Sequence, residues 1–149
     1  FELRYKRAYN SGRKAERNNI NNVVVIRGQG SELFKVFEAR SLTGIFVNFP
    51  DPWDKRRWHK HRMLNPAFLQ AAHLLLKPKG FISYKTDHGA YFEETIKLFR
   101  EMQLYTIEIE TQDLYSSEHA TKNIPTEFER LFLSKGLPIK YLLARKCGE

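Results

Sequence analysis

Apolar runs alternate along the chain with stretches whose apolar residues recur at helical spacing. Residues 23–26 and 45–49 are runs of β-branched and aromatic side chains, which predict strands buried on both faces of a parallel sheet. Residues 105–110 alternate apolar and polar positions, which predicts a half-exposed strand. The predicted strands lie at residues 23–26, 45–49, 81–86, 105–110 and 139–144, and Phe1-Glu2-Leu3 is predicted to be the end of a strand. The predicted helices lie at residues 4–19, 31–39, 65–76 and 126–135 and around Phe92, Ile96 and Phe99.

The helix at residues 65–76 has the clearest boundary signals. Asn65 suits the N-cap, Pro66 suits the first helical position, and Pro78 and Gly80 should close the helix. Because strands and helices alternate, the pattern predicts a doubly wound α/β sheet, in which ligands bind at the carboxyl ends of the strands. The length of 149 residues predicts a single domain over residues 1–149.

Composition and charge exclude several classes of protein and favour one kind of partner. Hydrophobic residues make up 42% and charged residues 28%, which excludes a disordered tail or a fibrous repeat. The apolar runs are shorter than the ~18 residues that a membrane span needs. Cys147 is the only cysteine, which excludes an intrachain disulfide and favours a reducing cytoplasm. The formal charge of +8 favours a polyanionic partner, although many soluble proteins are basic without one.

The segment after the strand at residues 45–49 carries the first candidate for chemistry. Pro50 and Pro52 each restrict the residue before them to extended geometry, so Phe49 and Asp51 should belong to a stiff loop. A carboxylate held beside Trp53 suits a planar, partly cationic ligand, through charge and through stacking. The alternative is that Asp51 only forms an Asx turn.

A strongly basic stretch follows at residues 55–62. It contains five Lys or Arg and two His among eight residues, with Trp58 between them. Cations beside an exposed aromatic ring favour RNA, whose phosphates and unstacked bases they recognise. The alternative is a solvated approach to the next helix. A metal site is also conceivable but matches no zinc spacing, and its basic neighbours disfavour a cation; the candidate ligands are Asp51, His59, His61, Asp87 and His88.

Two further motifs allow a local or a functional interpretation. Asp87 follows the strand at residues 81–86, so a parallel sheet would bring it to the same edge as Asp51. Asp87 could equally cap the helix that starts after it. Thr126 and Glu129 have the spacing of a capping box, and local chemistry alone favours that interpretation.

Together these motifs resemble the tRNA (guanine-N7-)-methyltransferase family, called TrmB in bacteria. The similarity extends over essentially the whole chain, and the motifs occur in the order and spacing of the family. The matching residues are Asn48-Phe49-Pro50-Asp51-Pro52-Trp53, the basic stretch after them, Lys85-Thr86-Asp87, and Thr126-Glu127-Phe128-Glu129.

The resemblance implies a class I, Rossmann-like methyltransferase fold that binds S-adenosylmethionine. It implies that Asp51 is the catalytic acid and also lies beside the cofactor, and that Glu2 contacts the cofactor ribose. Gln29 occupies the position where the family commonly has an acid near the cofactor base, and its amide can still bind an adenine edge. The family's first strand and glycine-rich loop would precede Phe1, so the chain is expected to be the C-terminal portion of the full fold.

The implied reaction is methylation of a guanine N7 in the variable loop of tRNA. The expected protein is a cytoplasmic monomer or homodimer with no metal. The resemblance assigns substrate binding to Lys55, Asp87, Thr126, Glu127, Phe128 and Glu129.

Two other functions remain open at this level. A relative that keeps the basic surface without holding the cofactor would be a non-catalytic RNA-binding module, and binding of S-adenosylmethionine separates it from the enzyme. A metal-dependent nuclease using Asp51 and Asp87 would lose its activity to chelators.

Overall fold

A computed structural model describes residues 1–148. The chain forms two compact units, residues 1–37 and residues 38–149. No helix among the described residues is long and apolar enough to cross a membrane. That one domain covers residues 1–149 stays a prediction.

The first unit contains helix α1 (Tyr5–Arg17) and a 3₁₀ helix (Gly30–Lys35). The predicted helix at residues 4–19 is therefore confirmed. The predicted helix at residues 31–39 is wrong, because the segment winds as 3₁₀ and ends at Lys35. Phe34 is mainly exposed there, so tertiary packing does not support a longer α-helix.

The predicted strand at residues 23–26 is also wrong. The segment is irregular, and Val24 is 83% exposed. Its only strand-like pairing among the described residues is a parallel bridge between Glu2 and Arg27, with hydrogen bonds from Glu2 N–H to the Ile26 carbonyl (3.0 Å) and from Gly28 N–H to the Glu2 carbonyl (3.2 Å). A β-branched run forms a buried strand only where neighbours supply backbone partners, and one bridge does not supply them.

The second unit is a four-stranded sheet with three α-helices. The strand order is β1-β2-β4-β3, in which β1 and β2 are parallel and the other two pairs are antiparallel. The predicted α/β class is confirmed, with an antiparallel extension to a parallel pair. Its elements are β1 (Leu42–Asn48), α2 (Pro66–Leu75), β2 (Leu76–Thr86), α3 (Gly89–Met102), β3 (Tyr105–Thr111), α4 (Glu127–Leu133) and β4 (Lys140–Lys146), with 3₁₀ helices at Arg56–His61 and Glu118–Lys122.

Helix α3 covers one face of this sheet. Tyr84 of β2 is completely buried and packs on Phe92 with ring centroids 5.9 Å apart. Phe99 packs on Tyr105 of β3 at 5.3 Å. The apolar residues whose helical spacing predicted α3 thus form its buried face. The half-exposed pattern predicted for β3 is also confirmed.

Strand β1 is buried on one face only, which corrects the prediction of a strand buried on both. Val47 pairs with Tyr84 and shares its buried face, whereas Phe46 is 65% exposed. Alternate strand residues point to opposite faces, and β1 is the end strand of this sheet.

Strand β2 begins at Leu76, earlier than predicted, and helix α2 ends at Leu75. The pairing with β1 shifts here: Leu42 lies opposite Leu76, but Gly44 lies opposite Phe81. The extra residues of β2 form a bulge at residues 77–80, which contains Pro78 and Gly80. Bulges tolerate these residues, so they mark an irregular strand here rather than the end of a helix.

Candidate functional site

Two segments leave the sheet side by side at the carboxyl ends of β1 and β2. Asn48 pairs with Lys85 in the parallel ladder, and the Phe49 N–H donates to the Lys85 carbonyl at 2.9 Å. Asp51 and Asp87 therefore follow paired parallel strands, as the sequence predicted. We call residues 49–62 the site loop.

Phe49 starts the site loop with a left-handed backbone, φ = 49°, and not with the extended geometry predicted from Pro50. This conformation is costly for a residue with a Cβ. The Phe49 ring packs against Phe128 at 5.9 Å and Phe132 at 5.3 Å between centroids, both from α4. Packing from a distant helix therefore overrides the local preference.

The Asp51 carboxylate is exposed to solvent. It makes no hydrogen bond or ion pair with any residue in the described part of the chain. The Asx-turn explanation is therefore wrong, because in that turn the carboxylate accepts a hydrogen bond from a nearby backbone N–H. This carboxylate is free to interact with a bound molecule.

Arg62, the last residue of the site loop, is buried and anchors the loop to the protein. Its side chain is only 5% exposed, and its Nε donates to the Pro52 carbonyl at 2.6 Å. The guanidinium also pairs with the Glu94 carboxylate and lies 4.6 Å from the Tyr91 ring centroid. Counting Arg62 among the residues that contact RNA is therefore wrong, because its charge is used to hold the loop.

His88 joins the site loop to the start of α3. Its Nδ1 accepts from the Tyr91 N–H at 3.0 Å, and its Nε2 lies 2.8 Å from Asp54 Oδ1. His88 is therefore the N-cap of α3, and the capping interpretation of Asp87 is wrong. The Asp87 carboxylate has no partner within residues 1–148, so a second free carboxylate lies after β2.

The outer surface of the site loop is cationic and aromatic. Trp58 has Lys55 Nζ at 4.9 Å and the Arg57 guanidinium at 5.0 Å from its ring centroid, and its ring meets Trp53 at 6.2 Å. No acidic side chain of the described chain forms an ion pair with the exposed cations of this surface. These cations are Lys55, Arg56, Arg57 and Lys60.

A buried ion pair lies behind the loop. Lys85 is 6% exposed, and its Nζ lies 3.3 Å from both carboxylate oxygens of Glu129, which is completely buried. Burial raises the pKa of Glu129, but hydrogen bonds from Thr126 and Asn123 and the charge of Lys85 outweigh this and lower it. We call Lys85, Glu129, Asn123 and Tyr115 the buried ion cluster.

The capping box at the start of α4 is confirmed. Thr126 Oγ1 accepts from the Glu129 N–H at 3.2 Å, and the Glu129 carboxylate accepts from the Thr126 N–H at 2.6 Å. Glu129 is turned inward, whereas Glu127 and Phe128 are on the surface. That this segment, with Lys55 and Asp87, contacts a substrate stays a prediction.

Sequence reasoning missed the role of Lys85. The available signal was a lysine inside the otherwise apolar strand at residues 81–86, together with an acid at the capping-box position. Buried lysines are rare unless they are paired, so such a lysine indicates a distant acid without identifying it.

The first unit carries the two predicted cofactor contacts Glu2 and Gln29. The parallel bridge between Glu2 and Arg27 places Glu2 and Gln29 at the same ends of adjacent extended segments. Glu2 Oε1 accepts from the Arg4 N–H at 2.7 Å, and Gln29 Oε1 accepts from Ser31 at 3.4 Å. The Gln29 amide group donates no hydrogen bond within residues 1–148.

Within residues 1–148, no group of three or more His, Cys, Asp and Glu side chains is placed to hold a metal ion. The histidines of the site loop contact protein carboxylates or rings instead. His59 lies 3.8 Å from Glu94, and the His61 ring lies 5.3 Å from that of Trp53.

Comparison with known proteins identifies sequence relatives of this chain. A family model described as "Putative methyltransferase" matches residues 1–142. The tRNA (guanine-N(7)-)-methyltransferase of Mycoplasma genitalium is 36% identical over 129 residues, which are 86% of this chain and 61% of that protein. The enzyme of the same name from Clostridioides difficile is 34% identical over 146 residues, covering 98% of this chain and 67% of that protein.

The fold agrees with this match. A crystal structure described as a "putative rRNA-methylase" from Clostridium thermocellum superposes with a TM-score of 0.62 at 16% identity, covering 100% of this chain and 72% of that one. The chain spans about three fifths of the length of the Mycoplasma relative. Sequence and fold together show that the chain belongs to the tRNA (guanine-N7-)-methyltransferase family, with the Rossmann-like sheet of class I methyltransferases.

Proposed function

We propose that this chain transfers a methyl group from S-adenosylmethionine to N7 of a guanine in the variable loop of tRNA. Family membership supports the reaction class, since the relatives carry that activity in their names. The structural observation that supports the proposal is the state of the Asp51 carboxylate. It is exposed and unpaired, and it lies on a loop that is anchored by the hydrogen bond from Arg62 to the Pro52 carbonyl and by the packing of Phe49 on α4.

The chemistry requires alignment more than proton transfer. Guanine N7 has an in-plane lone pair and carries no proton, so no strong base is needed. When bound, S-adenosylmethionine would supply an electrophilic methyl group on its sulfonium. The N7 lone pair forms the new C–N bond as the methyl–sulfur bond breaks, and the sulfur leaves as the neutral thioether of S-adenosylhomocysteine. The methylated guanine becomes cationic, and a fixed carboxylate at Asp51 stabilises the developing charge.

The donor set of the first unit suits the nucleoside part of this cofactor. The Glu2 carboxylate accepts hydrogen bonds, as a ribose diol requires, and one of its oxygens already holds the Arg4 N–H. The unengaged Gln29 amide can donate to an adenine nitrogen. Glu2 and Gln29 therefore fit a role in holding the nucleoside part of the cofactor.

The tRNA is the proposed polyanionic partner. The exposed cations of the site loop, Lys55 among them, neutralise phosphates. The rings of Trp53 and Trp58 offer surfaces on which unstacked bases lie. The Asp87 carboxylate can accept a hydrogen bond from a base N–H, and the surface of the segment at residues 126–129 is the proposed further contact.

Asp51→Asn tests the catalytic role. We expect methyl transfer into tRNA to fall roughly 10²–10³-fold, which is typical for loss of one preorganised electrostatic contact. RNA affinity and the melting temperature should stay unchanged, because the carboxylate makes no internal contact. Glu101→Gln is the control, since it removes an exposed acid in the last turn of α3, at the other end of the helix from His88, where Glu101 forms a surface ion pair with Lys97.

The assay measures transfer of radiolabelled methyl groups to tRNA, identifies 7-methylguanosine by mass spectrometry, and measures RNA affinity separately. RNA binding by the unmodified chain without any transfer would overturn the enzyme proposal in favour of an RNA-binding module. An equal loss of binding and transfer in Asp51→Asn would mean that Asp51 is structural.

A further inference from the structure

The buried ion cluster connects the segment before α4 to the strand that precedes Asp87. The Lys85 ammonium faces four oxygens: the Asn123 side-chain carbonyl, the Ile124 backbone carbonyl at 3.1 Å, and both oxygens of Glu129. An ammonium has only three protons, so these oxygens fully satisfy it. It therefore has no capacity to bind a ligand and must act through its neighbours.

Glu129 transmits this anchoring to α4. Besides Lys85, its carboxylate accepts from the Thr126 N–H at 2.6 Å, the Asn123 amide at 2.8 Å and the Tyr115 hydroxyl at 3.1 Å. The acid is buried without any exposed surface, so these bonds fix both the start of α4 and its rotation. Rotation decides where the aromatic side chains of α4 point.

Helix α4 in turn holds the site loop. The rings of Phe128 and Phe132 pack on Phe49, whose left-handed backbone requires such support. The Phe49 N–H donates to the backbone carbonyl of Lys85 itself. The same lysine therefore contacts the loop directly through its backbone and indirectly, through Glu129 and α4, with its side chain.

We propose that Lys85 is a positioning residue: its buried pair with Glu129 holds α4 against Phe49 and so fixes the site loop that carries Asp51. The placement of the loop follows from the contacts alone. Its consequence for methyl transfer rests on the proposed function. An ion pair remote from Asp51 then controls how well Asp51 is aligned.

The chain contains a matched control for a purely stabilising role. Lys146 of β4 is also buried, at 8% exposure, and its Nζ donates to the Leu76 carbonyl at 2.8 Å. Leu76 starts β2 and Lys146 pairs with Tyr105, so this contact lies at the opposite end of the sheet from the site loop. Lys146→Met should destabilise the protein without affecting the loop.

The chain also contains a built-in reporter. It has only two tryptophans, Trp53 and Trp58, and both are in the site loop. They are 38% and 36% exposed. Tryptophan fluorescence, excited selectively on the long-wavelength side of tyrosine absorption, and its quenching by acrylamide therefore report the order of the site loop. This readout does not require the protein to be active.

The experiment compares Lys85→Met, Glu129→Gln, the double variant and Lys146→Met in the full chain. We expect acrylamide quenching to rise about twofold in Lys85→Met, as a released loop exposes both indoles, and to stay unchanged in Lys146→Met. Glu129→Gln should raise quenching too, and Lys85→Met should add little in its background, because both act through one pair. Equal quenching in Lys85→Met, Lys146→Met and the unmodified chain would overturn the proposal.

Two further measurements complete the test. If Lys85→Met does not fold, the double variant replaces it, because it removes both charges and leaves neither buried alone. In methyl transfer, kcat should fall on the order of 10-fold or more while KM for tRNA stays within about 3-fold, as expected for misalignment. An unmodified chain that lacks transfer but shows the quenching pattern would refute the proposed function and support the role of Lys85.

Discussion

Replacing Arg62 with methionine separates a buried anchor from an RNA contact. Methionine has similar length and fills much of the same space, but it donates no hydrogen bond and carries no charge. The structure assigns Arg62 to the Pro52 carbonyl, the Glu94 carboxylate and the Tyr91 ring. The variant should therefore lose stability and keep its affinity for phosphates.

The size of the loss follows from these contacts. A hydrogen bond from a charged donor, such as the one to Pro52, contributes about 1.5–3 kcal/mol. The guanidinium on the Tyr91 ring adds about 0.5–2 kcal/mol. The pair with the half-exposed Glu94 adds at most about 1 kcal/mol. Because methionine recovers part of the apolar packing, the expected net loss is about 2–3 kcal/mol, or roughly 5–10 °C in melting temperature.

The assay combines thermal unfolding, followed by circular dichroism, with RNA affinity measured at several salt concentrations. Arg56→Met is the control, because Arg56 belongs to the same stretch but is exposed and has no acidic partner in the described structure. It should keep the melting temperature and reduce the salt slope by about one phosphate contact. An Arg62→Met protein with unchanged melting temperature and a reduced slope would refute the buried role.

Two predictions concern α4. Thr126→Ala removes the side-chain cap and should lower the free energy of unfolding by about 0.5–2 kcal/mol. Thr126→Ser keeps the hydroxyl and should retain the stability of the unmodified chain. Equal denaturation midpoints for the alanine and serine variants would contradict the capping role. The lowered pKa of Glu129 stabilises the fold above the ordinary value near 4.5, and this contribution is lost as the pH falls through the folded pKa. Glu129→Gln should therefore show a shallower acid dependence of its urea midpoint, and parallel curves would exclude the linkage.

Conformations that depend on neighbours in sequence could be predicted without a structure. The capping box at Thr126 and Glu129, the N-cap at Asn65 and the buried face of α3 were all confirmed. The reason is that a cap or an amphipathic face involves residues three or four apart, so its physics is contained in one short segment.

The errors share the opposite cause. A β-branched run predicted a buried strand at residues 23–26, but burial depends on partners that the run does not itself contain. Proline predicted an extended Phe49, but two rings from α4 hold it in the left-handed region. Arg62 is one of five cations in its stretch, and only packing turns it inward.

The sequence by itself determined the α/β class, the local caps and the segments in which charge and carboxylates concentrate, because period, spacing and residue chemistry can be recognised within a segment. Tertiary structure alone decided which of those charges remain free. Lys85 and Glu129 are 44 residues apart, and their pairing exists only because β2 and α4 pack together. The same packing leaves Asp51 exposed and unpaired, since its neighbours Phe49 and Arg62 make the contacts that hold the loop in place.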